Sequence, residues 1–390
     1  MKKGKIAIIF ADAGLGHRRD AYNLYTALKQ KGYNVVLLNF SDPKIIGKFF
    51  SFLWEIAKNL YEFFQRKLLL KQITKSPLTA LAMQFYSFLI SHKLINFIKR
   101  NNVRLLISTH PIPLIDLSYK KNLRTKIINL IPDSLSYLSV WFYVLPGSNA
   151  YYFVNDEKSK QILIKSGIKK EKIFVVGHIL PLKETKKSLK RVKERALKIK
   201  NKKPLIFATT GGAGTNEKEL KKIISLYIKE RKGHLLINCN HHFWLFERLI
   251  NGKIKGKIKR KQKIYDGIIL IGYKYTVKFR NSEISFLLAI GDNEEEKREN
   301  SIKIFNKFLP LADILITKPS ELSFYSCGIP IILFSPTNVV ERSNRAIVLK
   351  AGYAVKFKKD IYLNTIIGNL KLSTIFFGTE NAIKIIEKLM

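Results

Sequence analysis

Short apolar runs alternate with stretches of helical spacing along most of the chain. Residues 5–10 form an apolar run of the length that makes a strand buried on both faces of a parallel sheet. The turn Ala13-Gly14-Leu15-Gly16 follows. Over residues 18–31 apolar side chains recur at Ala21, Leu24, Tyr25 and Leu28, which predicts a helix, and Gly32 stops it. Residues 33–40 are the next strand, and the helical crossover makes the two strands parallel. Further strands are predicted over 103–108, 126–131, 150–154 and 172–176, with a helix over 157–166. Past residue 203 the pattern restarts, with strands over 204–209, 235–238, 267–271, 313–317, 329–334 and 352–357. Helices are predicted over 217–229, 341–351 and 381–390, with a short one after Glu321. Residues 275–300 break the alternation and read as an insertion with two short strand-like runs and an acidic patch at Asp292-Asn293-Glu294-Glu295-Glu296.

The repeated pattern predicts an α/β protein of two Rossmann-like domains, each opening with a strand and a glycine turn. The expected organisation is a domain over 1–182, a linker over 183–203, a domain over 204–378 and a terminal helix over 379–390. The linker is rich in Lys and Arg and has only Glu184 and Glu194 as acids. A length of 390 residues suits two such domains, and 46% hydrophobic with 25% charged residues excludes wholesale disorder. Two cysteines, Cys239 and Cys327, exclude a disulfide scaffold and fit a reducing cytoplasm. No window holds eighteen uninterrupted apolar residues, so no membrane-spanning helix is expected, and the run before Asp12 is too short for a signal peptide.

Charge changes this picture most. Lys and Arg total 70 against 29 Asp and Glu, a formal net charge of +41. Such a chain is drawn to polyanions: a nucleic acid, an anionic membrane surface or a phosphorylated substrate. A solvated basic surface without a partner is the plain alternative. Residues 45–100 are rich in Phe, Trp, Tyr, Leu and Lys and predict two long amphipathic helices broken near Lys75-Ser76-Pro77. They either pack on the sheet or present a basic, aromatic face to a membrane.

Gly14-Leu15-Gly16-His17 lacks the third glycine of a dinucleotide fingerprint, where Arg19 stands. It offers a close backbone approach and an imidazole at a helix N-terminus. That imidazole can accept a proton from a hydroxyl near neutral pH, or it can simply cap the turn. His110 and His178 end strands and read as structural or loop residues rather than catalytic ones. His241-His242 has no cysteine or carboxylate cluster beside it, so no metal site is expected. Cys327 reads as core, and the lysine cluster over 253–261 as a solvated loop rather than one that binds phosphates or RNA.

In their order, these motifs resemble the GT-B glycosyltransferases that make membrane glycolipids, above all the monogalactosyldiacylglycerol synthases and the processive diacylglycerol glucosyltransferases. The similar residues are Gly14-Leu15-Gly16-His17, Pro132-Asp133, Gly177-His178-Ile179-Leu180-Pro181, Thr210-Gly211-Gly212-Ala213-Gly214, Gly272-Tyr273, the run from Ala312 to Pro319, and Gly328-Ile329-Pro330. The resemblance implies two Rossmann-like domains facing across a cleft. It also implies a membrane-facing acceptor domain over 1–182 and a nucleotide-sugar domain over 204–378. It makes His17 and Asp133 the catalytic candidates, with Gly14, Gly16, His110 and His178 on the acceptor side. On the donor side it implies Gly211, Gly212, Ala213 and Gly214 at the diphosphate, a turn at Gly272-Tyr273 near the base, and Lys318, Pro319, Ser320 and Glu321 near diphosphate and ribose. Glu341 and Asn344 match positions that contact the donor sugar. The chain has Ser320-Glu321-Leu322-Ser323 where the family carries a Gly-Gly pair and a later ribose-binding Glu.

The expected activity is hexosyl transfer from a nucleotide sugar, UDP-linked by family habit, to a lipid-linked or other membrane-associated acceptor. No cofactor or metal is expected, and the place is the inner face of the cell membrane. Sugar-nucleotide 2-epimerases share the architecture and form the alternative within the fold. A nucleic-acid-binding protein is the weaker alternative, because the charge has no recognition motif beside it.

Overall fold

The computed structural model describes residues 4–11, 15–66, 77–133, 135, 145–182, 185, 190–201, 204–210, 214, 216–230, 233–253, 259–265, 268–277, 280–320, 329–337, 339–350, 354–357 and 378–390. The regular elements begin β1 (Lys5–Phe10), α1 (Leu15–Gln30), β2 (Val35–Asn39), α2 (Pro43–Ile46), α3 (Lys48–Arg66), α4 (Pro77–Arg100), β3 (Val103–Ser108), β4 (Lys126–Leu130), β5 (Tyr151–Val154), α5 (Glu157–Lys165) and β6 (Ile173–Val175). They continue α6 (Val192–Lys200), β7 (Leu205–Thr209), α7 (Glu217–Glu230), β8 (His234–Asn238), α8 (Phe243–Lys253), β9 (Lys259–Tyr265), β10 (Ile268–Val277), β11 (Arg280–Ala289) and α9 (Glu294–Phe308). The last are β12 (Ile314–Thr317), β13 (Ile331–Leu333), α10 (Val339–Lys350), β14 (Ala354–Lys356) and α11 (Gly378–Leu389). The chain divides into two compact units, one of residues 1–182, 337–343 and 374–390, the other of 183–336 and 344–373.

The first unit is built on a six-stranded parallel sheet in the order β2-β1-β3-β4-β5-β6. The unbroken apolar run of β1 has its reason here, since Ile6, Ala7, Ile8 and Ile9 are all fully buried and the sheet is covered on both faces. Ile6 and Ile8 pack with Ala21, Leu24 and Leu28 of α1 and with Ile383 and Ile386 of α11. Ala7 and Ile9 face the other way, toward Trp54 of α3 and Ile90, Leu94 and Ile98 of α4. The terminal helix is therefore part of this first unit. Thr379 Oγ1 donates to Leu180 O at 2.6 Å, and Asn381 Nδ2 to Val176 O at 3.0 Å. At Gly378 a Cβ would lie 2.3 Å from His178 O, so only glycine lets α11 approach the strand end this closely.

The second unit has an eight-stranded sheet in the order β14-β13-β12-β7-β8-β11-β10-β9. Six strands, β14 through β11, run parallel, and β10 and β9 extend the sheet by antiparallel pairing. Ile206, Ala208, Ile237, Phe286, Ile314 and Ile316 form its central core.

Residues 275–300 are no insertion. They finish β10, supply β11 inside the sheet between β8 and β10, and enter α9. The strand-like runs pair with each other as a hairpin, and Ile284, Phe286 and Leu287 are fully buried. The acidic patch is the first turn of α9, where carboxylates complement the helix dipole. Asn293 caps it by accepting from Glu296 N at 2.9 Å, while Glu296 Oε2 accepts from Asp292 N at 2.8 Å. Within the lysine cluster expected as a loop, residues 254–258 lie outside the described residues, and Lys259 opens β9. The short helix expected after Glu321, and Cys327 with it, also lie outside them. The basic 183–203 segment contains α6, which binds the second unit through Arg191 and Arg195.

Candidate functional site

In both sheets the polar residues gather where the parallel strands end, at the carboxyl edge, which is where open α/β sheets bind ligands. In the first unit this edge is set by β1, β2 and β3. His17 lies in the first turn of α1, half-buried beside Gly16, while Gly14 lies outside the described residues. Its Nδ1 meets Thr109 O, just past β3, and Thr109 Oγ1 donates to His17 O at 3.0 Å. Thr109 N donates to Ile9 O at 3.0 Å, continuing the ladder between β1 and β3. The His110 ring meets the His17 ring edge-on at 4.9 Å between centroids, and it stacks with Phe40 at 6.3 Å. Trp54 closes the group, 6.0 Å from His110 and 4.6 Å from Phe40.

His110 is neutral at physiological pH. Burial, and then the nearby His17, holds its pKa well below the ordinary imidazole value. Ile112 N donates to its Nδ1 at 3.4 Å, which leaves the ring proton on Nε2. His178, buried after β6, is likewise neutral, its pKa lowered to about 3 by desolvation. Both can orient a ligand by hydrogen bonding, but neither is a competent base near pH 7. Asp133 lies half-buried at the same edge, beyond β4. Asn155, after β5, supports that loop by donating from Nδ2 to Pro132 O.

Two helices border this edge. One face of each packs inward: Phe50 and Trp54 of α3, and Ile90, Leu94 and Ile98 of α4. The other face is bare. On α3 it presents Phe49, Phe52, Ile56 and Leu60, with Phe49 67% exposed and Phe52 62%. On α4 it presents Leu81, Phe85 and Phe88, each at least 60% exposed (63%, 62% and 60%). Packing on the sheet and presenting an apolar face outward are thus both true of this segment.

In the second unit Thr209 ends β7 and Thr210 follows it, Asn238 ends β8 with Asn240 just beyond, and Thr317 ends β12 with Lys318, Pro319 and Ser320 after it, all of them buried. Thr317 pairs with Thr209 across the β12–β7 ladder. Among the described residues, Thr210 Oγ1 and Thr317 Oγ1 are buried hydroxyls with no hydrogen-bond partner. Such a group costs about 1–3 kcal/mol when buried, and here two stand on adjacent strand ends. Sequence reasoning held both threonines only as members of matched motifs, directly before the glycine loop and directly before Lys318, and gave neither a role of its own. Ser320 N donates to Lys318 O at 2.8 Å, turning the chain sharply after β12.

Gly211, Gly212, Ala213 and Glu321 lie outside the described residues. Gly214 has φ +64°, and a Cβ there would come within 2.8 Å of the Trp244 ring and 3.1 Å of the His242 ring. Glu341, in the first turn of α10, accepts from Thr337 N at 2.7 Å and from Thr337 Oγ1 at 2.9 Å. Asn344 follows one turn later, fully buried.

Gly272 and Tyr273 do not form the expected turn. They stand inside β10, opposite Ser285 and Ile284 of β11 and opposite Lys261 and Arg260 of β9. Ser285 lies four residues before Ala289, the last residue of β11. At about 3.3 Å per residue this sets Gly272 about 13 Å below the edge. The strand runs on because antiparallel partners on both sides satisfy its backbone, so the glycine is a mid-strand residue and not a stop.

Among the described residues no group of three or more His, Cys, Asp or Glu is placed to hold a metal. The His241 and His242 rings lie 4.2 Å apart, and His241 Nδ1 meets Ser301 Oγ at 3.3 Å. Cys239 is buried, and burial raises its thiol pKa far above the reactive range. Among the described residues no helix is long and apolar enough to cross a membrane.

Residues 17–180 match the family model described as monogalactosyldiacylglycerol (MGDG) synthase. Residues 168–335 match a family described as a domain of unknown function (DUF6938). No curated protein matches the chain in sequence. Among solved structures, the S. aureus MnaA–UDP co-structure is 12% identical, with 100% of this chain and 98% of that one covered at a TM-score of 0.55. UDP-GlcNAc 2-epimerase from Methanocaldococcus jannaschii is 12% identical, covered 98% and 99%, with a TM-score of 0.53. UDP-GlcNAc 2-epimerase from Neisseria meningitidis bound to UDP-GlcNAc is 12% identical, covered 98% and 100%, with a TM-score of 0.52. These likenesses are likenesses of fold along the whole chain. The protein therefore has two Rossmann-like domains of the GT-B type, and its first half is similar to the monogalactosyldiacylglycerol synthases.

Proposed function

We propose that this chain is a glycosyltransferase that moves a hexose from a UDP-sugar to a hydroxyl on a lipid-linked or membrane-associated acceptor. The observation that carries this reading is that the MGDG synthase match, residues 17–180, coincides with the unit in which His17 is clamped at the carboxyl edge beside an exposed apolar helix face. The first unit takes the acceptor. The second takes the donor, with Gly211 to Gly214, Thr210, Thr317 and Lys318 to Glu321 near the diphosphate and ribose and with Asn344 near the sugar; Glu341, the other position matched to the donor sugar, falls in the 337–343 segment grouped with the first unit. In the reaction the acceptor oxygen bonds to the anomeric carbon and gives its proton to His17. The bond from that carbon to the diphosphate oxygen breaks, and the electron pair leaves with the diphosphate. Backbone amides and Lys318 meet the growing negative charge.

The fold-level neighbours that are UDP-GlcNAc 2-epimerases favour a second reading, sugar-nucleotide 2-epimerisation. Titration with UDP- and GDP-sugars, followed by product analysis with and without diacylglycerol, separates the two. A glycoside supports transfer and an epimer without acceptor supports epimerisation. No binding and no turnover of any sugar nucleotide removes both.

The membrane half of the proposal is peripheral attachment to the inner face of an anionic membrane through α3 and α4. The chain's charge of +41 supplies attraction worth roughly 1 kcal/mol per Lys or Arg near such a surface, screened by salt. The exposed phenylalanines add an apolar contribution that salt does not weaken. Co-sedimentation with anionic vesicles is expected to fall with salt yet persist, and to fall further in a Phe52→Ser/Phe85→Ser variant. Equal recovery with neutral and anionic vesicles, or none with either, overturns it.

A further inference from the structure

We infer that Thr109 is a positioning residue that fixes His17 in a single tautomer, with the proton on Nδ1 and the lone pair on Nε2. The inference starts from donor and acceptor chemistry. The partner of His17 Nδ1 is the carbonyl oxygen of Thr109, which can only accept. A neutral His17 in that contact must carry its proton on Nδ1, and Nε2 is then the basic nitrogen.

The contact is held by more than one bond. Thr109 Oγ1 donates to His17 O at 3.0 Å, so side chain and main chain of each residue engage the other. Thr109 is fully buried, and its N–H continues the β1–β3 ladder at Ile9 O, 3.0 Å away. The next residue is fixed as well: Ser108 Oγ donates to His110 O at 2.7 Å and accepts from His110 N at 3.3 Å. The His110 ring then rests edge-on against His17. A helix N-terminus and a strand end, 92 residues apart in sequence, are thereby locked in register at the imidazole.

The hydroxyl of Thr109 is the part of this arrangement that a substitution can remove alone. Thr109→Val keeps shape and burial and deletes the bond to His17 O. Thr109→Ser keeps the bond and deletes a methyl group. The catalytic consequence rests on the transferase proposal; the tautomer does not. The test therefore has two arms. In histidine-selective 15N NMR of the purified protein, without substrate, native His17 is expected as the Nδ1–H tautomer. Thr109→Val is expected to show a mixture and Thr109→Ser the native spectrum. In the transferase assay Thr109→Val is expected to lower kcat by about threefold to tenfold, the effect of one neutral hydrogen bond. The KM for the sugar nucleotide is expected to stay unchanged, and Thr109→Ser to restore the rate.

An Nε2–H tautomer in the native protein overturns the inference, as does a Thr109→Val protein with both native spectrum and native kcat. A protein that shows the expected tautomers but transfers no sugar keeps the clamp and removes the transferase proposal.

Discussion

Replacing His17 with alanine is expected to lower turnover by about 10²–10⁴-fold, roughly 3–5 kcal/mol of barrier, while donor affinity is retained. A general base acts on the acceptor proton in the transition state, so its loss lowers kcat rather than ground-state binding. The surroundings of His17 favour it for this role over the other histidines. His110 and His178 are buried and held neutral by desolvation, with pKa values pushed well down, so they are poor proton acceptors at pH 7. His17 is half-buried, sits at the start of α1, and has its Nδ1 committed to Thr109 O. A neutral His110 beside it places no second positive charge against the imidazolium that forms when His17 takes the proton. The measurement pairs kcat with a donor titration. Full activity in His17→Ala moves the role to Asp133 or to the substrate itself. A variant that loses donor affinity and turnover together assigns His17 to binding.

The parts of this arrangement legible in the sequence are those that depend on local pattern. The β1–turn–α1 start, the strands from Val103 to Val175, and the pair β7 and α7 all follow from apolar runs and helical spacing. The failures are places where tertiary context overrides local signal. Lys259–Tyr265 is rich in lysine and has weak strand propensity, yet it pairs with β10 along its length. Glu294 to Asn300 has no apolar residue to show a helical period, and its helix α9 is announced mainly by the Asn293 cap. Gly272 looked like a stop because the next partner strand could not be seen from the sequence. The clamp on His17 belongs to the same class. Its partner is 92 residues away, and only the pairing of β1 with β3 brings the two together.

Arg195→Ala is expected to destabilise the second unit by about 1.5–3 kcal/mol, the scale for losing buried hydrogen bonds made by a charged group. Arg195 lies on α6, in the basic segment, and is 1% exposed. Its Nε donates to Ala312 O at 2.8 Å and one terminal nitrogen donates to Pro310 O at 3.0 Å. Arg191 on the same stretch donates to Pro310 O at 2.8 Å and lies 3.7 Å from Asp313 Oδ1. Asp313 in turn accepts from Leu205 N at 2.8 Å, which joins the start of β12 to the start of β7. Burial raises the Asp313 pKa while the backbone bond and the nearby Lys198, Arg191 and Arg195 oppose that shift, so the carboxylate depends on its cations. Alanine at 195 strips Ala312 O of this donor, leaves Pro310 O to Arg191 and weakens that balance in one step. Arg195→Lys supplies a charge without the planar fork and is expected to recover only part of the loss. Urea unfolding measures both variants. A midpoint for Arg195→Ala equal to that of the native protein would mean that α6 is a loosely held surface helix and that the strand starts of β7 and β12 are fixed by Asp313 alone.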